Sequence, residues 1–145
     1  MEPRAYLLSV KEMEERIHLK QDQVRRLNES LQAFSAPMDR EVVSHTRNVD
    51  VMGEAIARMA DLKAEIGEDI GTLLLRTRQV YALFDRLPMP QAAILTERYM
   101  KGLPVRKIAE EMHITDRYAR MMLAQAEAAF GAVMEEEFFK AAELL

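Results

Sequence analysis

The chain has 145 residues, a net charge of −4 and no cysteine, with 49% hydrophobic residues, 30% charged residues, 5 Gly and 5 Pro. A disulfide framework and a Cys-ligated zinc site are excluded, and the composition favours helices over sheet or disorder. No stretch approaches the roughly 18 apolar residues of a membrane span, and Met1 to Val10 has no apolar run behind a basic flank, so a cytoplasmic protein without a membrane partner is expected. The acidic sum conceals an uneven distribution. Residues 1–87 hold 13 Lys and Arg against 15 Asp and Glu, residues 88–125 hold 6 against 4, and residues 126–145 hold 1 against 5. Only the middle block is net basic.

From Tyr6 to Phe34 the apolar residues follow a seven-residue repeat, with Val10, Ile17, Val24 and Leu31 at one seam position and Tyr6, Met13, Leu27 and Phe34 at the other. Lys20 is the one break. Alternating steps of three and four keep one stripe on one side of a helix, which predicts a helix from about residue 4 to 34, ended by Pro37. After a polar connection from Ser35 to Asp50, a second stripe runs Met52, Ile56, Met59, Lys63, Ile66, Ile70, Leu73, Thr77, Val80, Phe84 and Leu87. It predicts a helix from about 50 to 87, with Asp50 as its N-cap. Residues 1–87 then form a long antiparallel, coiled-coil-like hairpin. Two helices alone cannot cover both stripes, so the hairpin is expected to self-associate, as a dimer, through Val10, Ile17, Val24, Leu31, Ile56, Ile66, Ile70 and Leu73.

Leu87-Pro88-Met89-Pro90 marks a boundary, since each proline disfavours helix in the residue before it and lacks a backbone donor. A new unit, residues 88–130, begins there, followed by an acidic helical tail over 131–145. Pro90 suits the first turn of a helix carrying Ile94, Leu95 and Tyr99, and Gly102 suits its stop. Next come Pro104 at a helix start and Val105, Ile108, Ala109 and Met112 on one face. His113-Ile114-Thr115 separates these from a second helix with Ala119, Met122, Leu123 and Ala126 facing inward. Two short helices, a turn of about three residues and a small residue at the crossing are the arrangement of a helix-turn-helix. The chain is therefore expected to be all-α, a helical hairpin followed by a C-terminal helix-turn-helix.

If the second helix begins at Asp116, the outward face carries Asp116, Arg117, Tyr118, Arg120 and Met121, which become the candidate base-contacting residues. Guanidinium groups suit guanine edges and phosphate oxygens alike, because their fork of donors matches paired acceptors. Lys101, Arg106 and Lys107, with Thr115 and Gln125, are the candidate phosphate contacts. Thr115 is placed to accept the Tyr118 backbone N–H and cap the helix.

Leu87-Pro88-x-Pro90, Ile94-Leu95, Arg98-Tyr99, Gly102, Ile108-Ala109-Glu110 and Ile114-Thr115 together resemble the region-four helix-turn-helix of bacterial sigma factors. The likeness is closer to the sigma-region-four-like regulators encoded by phages and prophages of Gram-positive bacteria, which also carry a long helical segment ahead of the unit. It covers residues 88–130, and residues 1–87 only in outline. The resemblance implies transcriptional regulation through promoter-like double-stranded DNA. The sequence departs from the pattern at Pro104, where a Ser or Thr cap is usual, at His113, where Gly commonly turns the chain, and at Asp116 and Met121, where polar or basic readers are frequent. Histidine tolerates a left-handed backbone better than most residues, so the turn is expected to survive.

No nucleophile with a base, no paired carboxylates and no phosphate-cradling glycine loop is present, so neither an enzyme nor a cofactor is expected. His18, His45 and His113 lack metal-ligand spacing, and Glu135-Glu136-Glu137 reads as a solvated face. Two alternatives stand beside the regulator. One is a phage DNA-packaging component of the small-terminase kind, in which the recognition unit usually comes first. The other is an interaction module that contacts RNA polymerase without binding DNA, a reading that the negative net charge keeps open.

Overall fold

The computed structural model describes residues 2–35 and 45–143, and its elements are all helical. They are α1 (Pro3–Ser35), α2 (His45–Phe84), α3 (Met89–Leu95), a π turn (Thr96–Met100), α4 (Val105–Met112) and α5 (Asp116–Glu143). The all-α class is as expected, and α1 begins on a proline, whose missing N–H costs nothing in a first turn. α2 starts at His45, so Asp50 lies inside the helix rather than capping it, and it runs unbroken through Lys63 and Thr77 to Phe84. The rest of the connection expected over Ser35 to Asp50, residues 36–44, lies outside the described residues. α5 passes residue 130 without interruption, so the helix that begins at Asp116 and residues 131–143 form one element.

Contacts divide the chain into a core unit, Met1–Met13 with Leu73–Leu145, and a hairpin unit, Glu14–Thr72. The division falls inside both long helices rather than at Pro88. Its physical reason is the core itself. The first turns of α1 supply Tyr6, Leu7 and Val10, and the last turns of α2 supply Val80, Leu83 and Phe84, to the cluster that also holds Ile94, Leu95, Ile108, Leu123 and Phe130. Phe130 packs edge-on to Phe84, with ring centroids 5.5 Å apart. Within this unit α1 and α2 run antiparallel: Tyr6 donates from its hydroxyl to Gln79 Oε1 at 3.3 Å, and Arg76 donates to Ser9 Oγ at 2.8 Å.

Among the described residues of the hairpin unit, the buried ones are Ile17 and Leu62. Lys20, the break in the first stripe, reaches Asp69 on α2 at 2.5 Å and Glu65 at 3.5 Å. Donating a hydrogen bond to Asp69 holds the Lys20 ammonium above its ordinary pKa. A polar seam position thus acquires a partner on the facing helix. No helix among the described residues is long and apolar enough to cross a membrane.

Candidate nucleic-acid interface

α4 and α5 cross through small and aliphatic residues. Ile108, Ala109, Ala119 and Ala126 are buried, Leu123 nearly so, and Val105, Met112 and Met122 are partly covered. The buried alanines at 109 and 119 put no side chain larger than a methyl group at these positions. The turn between them has two backbone bonds, Ile114 N–H to the Ala109 carbonyl at 3.0 Å and His113 N–H to the Glu110 carbonyl at 3.3 Å. These are the paired bonds of a Schellman ending, which needs a left-handed residue at the position of His113. His113 adopts it, with φ 57 and ψ 43. The imidazole substitutes for the usual glycine at a strain of about 1–2 kcal/mol.

Thr115 Oγ1 accepts the Tyr118 backbone N–H at 3.1 Å, so α5 begins with a side-chain cap where the spacing placed one. The hydroxyl proton of Thr115 remains available as a donor. Preceding α4, the π turn brings Lys101 N–H to the Thr96 carbonyl at 2.9 Å, and Gly102 follows with φ 73. Arg98 spans this bend by donating from Nη1 to the Leu103 carbonyl at 3.1 Å. Tyr99, buried in the core, donates its hydroxyl to Glu127 and ties the π turn to α5. Burial, reinforced by Glu127, pushes the Tyr99 phenol up to about 12. Neither the π turn nor this tie was expected. A five-residue backbone register leaves no mark in hydrophobic periodicity, and a pair 28 residues apart has no local signal.

The five candidate base-contacting residues, Asp116, Arg117, Tyr118, Arg120 and Met121, are all exposed on the first turns of α5. Among the described residues neither Arg117 nor Arg120 has an ion-pair or hydrogen-bond partner, and three residues apart they share a face. The candidate phosphate contacts Lys101, Arg106, Lys107, Thr115 and Gln125 are exposed as well, but they are not equivalent. Lys101 is paired with Glu97 at 2.6 Å and Arg106 with Glu110 at 3.7 Å, each four residues away on its own segment. Exposed pairs of this kind contribute a few tenths of a kcal/mol, little against a charged ligand. Lys107 has no such partner among the described residues. Glu110, Glu111 and Asp116 leave the surface mixed in sign.

The residues expected at an oligomer interface separate. Val10 is 2% exposed and sits in the core, and Ile17 is buried in the hairpin unit. Val24, Leu31, Ile66 and Leu73 are half-buried, while Ile56 and Ile70 face solvent. Two of the eight are therefore consumed by packing within one chain.

Residues 77–130 match the family model of sigma-70, region 4. The matched segment runs from the last turns of α2 to the buried Phe130, and so contains the π turn, α4, the His113 turn and the exposed face of α5. It supports a sigma-region-four-like helix-turn-helix over this part of the chain and points to DNA binding connected with transcription. Comparison of the chain with curated proteins and with solved structures yields no match.

Proposed function

We propose that the protein is a cytoplasmic, DNA-binding transcriptional regulator of the phage or prophage type, reading promoter-like DNA with the first turns of α5 in the major groove. The observation that carries this reading is the pair Arg117 and Arg120, exposed and unpaired among the described residues, at the capped start of α5 within a segment that matches sigma-70, region 4. α4 lies across the sugar-phosphate backbone, with Lys107, Arg106, Lys101, Thr115 and Gln125 toward phosphate. Asp116 repels phosphate and is accommodated beside a cytosine amino group or in a gap. The phage or prophage type is supported by the long helical segment ahead of the unit, and Ile56 and Ile70 are available for a second copy in a dimer.

Selection of bound fragments from a random DNA pool supplies the site, and titration on that site and on scrambled DNA at two salt concentrations supplies the test. Arg117→Ala and Arg120→Ala each remove about 1–3 kcal/mol of specific affinity, and Lys107→Ala weakens all sequences about equally. The mixed charge of the surface favours a second reading, an interaction module that contacts RNA polymerase through the same face. If both arginine variants leave both titrations unchanged, that second reading replaces the first.

A further inference from the structure

Away from the α4–α5 face, the core unit holds a cavity of about 770 Å³ between the start of α1, the end of α2 and the second half of α5. The volume lies within the roughly 300–1,000 Å³ of small-molecule sites. Its floor is apolar: Tyr6, Leu83 and Met134 are buried beneath it. Phe138 stands edge-on to the Tyr6 ring at 6.4 Å and is 53% exposed, a large apolar side chain left in water on the cavity wall.

The charged groups on this cavity are Arg76, Arg86 and Lys140 and one carboxylate, Glu137, which is paired with Arg86. Arg76 lies over the Tyr6 ring at 4.7 Å and donates to Ser9, and no carboxylate among the described residues pairs with it. Lys140 likewise has no carboxylate partner among them. Arg86 also lines the cavity, but Glu136 and Glu137 hold its guanidinium. Tyr6 donates its hydroxyl to Gln79 Oε1, which leaves the Gln79 amide nitrogen as a further donor. An inorganic anion would leave the apolar floor uncovered, and an uncharged hydrocarbon would leave both cations unmatched.

We infer that this cavity binds a small amphipathic anion, an apolar body bearing one carboxylate or sulfonate, with the body against Tyr6, Met134 and Phe138 and the charge between Arg76 and Lys140. Binding rests on ion pairing added to apolar burial, two contributions that can be removed separately.

The test titrates the full chain with anilinonaphthalene sulfonate, read by its fluorescence. Saturation at one probe per chain is expected, with displacement by decanoate and not by decanol or decyltrimethylammonium. Lys140→Gln and Arg76→Gln each weaken the probe roughly tenfold, the scale of one charge-assisted bond. Ala82→Phe, at an exposed wall position, fills the cavity and abolishes binding. Lys140 is solvent-exposed, so unfolding, followed by far-UV circular dichroism, cannot stand in for its effect. Non-saturating binding, equal displacement by decanol, or full affinity in both Lys140→Gln and Ala82→Phe overturns the inference.

Discussion

Between residues 14 and 72 two helices meet along one seam, and among the described residues Ile17 and Leu62 are the buried ones there. In the core unit five α-helices and the π turn converge, and Leu7, Ile94, Leu95, Ile108 and Phe130 lose essentially all contact with water. Both regions contain a heptad stripe of comparable regularity, so periodicity does not account for the difference. The number of neighbours does: a helix facing one partner covers a single strip of its circumference, whereas α5 is met by the ends of α1 and α2 and by α3 and α4. Apolar residues in the hairpin unit, among them Leu19, Val51, Ile56 and Ile70, are left in solvent. A heptad pattern thus marks which face could be buried; what is buried depends on how many elements arrive.

Truncation separates the two units most directly. Phe130→Ala is expected to cost about 3–5 kcal/mol, because a fully enclosed ring is removed and a cavity remains, whereas Ile56→Ala, at 56% exposure, should stay within about 0.5 kcal/mol in dilute solution. Paired urea titrations check both, and equal losses would remove the distinction between the units. If the exposed hairpin residues meet a second copy, Ile70→Asp should weaken association by at least about tenfold, since one buried isoleucine contributes roughly 1.5–3 kcal/mol. Sedimentation equilibrium across a concentration series reads the association. Far-UV circular dichroism should show the helices intact, because Ile70 is exposed in the single chain.

Smaller effects report on the core unit alone. His113→Gly should stabilise it by about 0.5–1 kcal/mol, relieving most of the left-handed strain while restoring some backbone entropy to the unfolded chain. A melting temperature higher by about 2–4 °C is the expected readout. A further perturbation is alkaline. The folded Tyr99 phenol titrates near 12, above its unfolded value of about 10, so its contribution is complete below pH 10 and lost as pH rises toward 12. Tyr99→Phe should flatten that part of the stability profile. All 4 tyrosines, at positions 6, 81, 99 and 118, lie in the core unit, so tyrosine absorbance follows this unit without a signal from residues 14–72.

Sequence alone determined the local features. The stripes predicted α1 and α2, the prolines at 88 and 90 placed the break before α3, and the Thr115 cap and the inward positions of α4 and α5 followed from spacing. Each of these depends on residues within a few turns of one another, where propensity, capping and periodicity act directly. The His113 turn was legible for the same reason. Tertiary structure decided what those elements meet. Val10 reads as a seam residue, but contact with the core cluster places it inside the chain; Lys20 reads as a defect, but Asp69 and Glu65 on the facing helix make it an ion-pair donor. The π turn, the Tyr99–Glu127 tie and the cavity rimmed by Arg76 and Lys140 join residues separated by 28 positions or more, or depend on a backbone register that apolar spacing does not encode. Which side chains meet at such separations is set by the packing of several helices at once, and that is a property of the assembled fold.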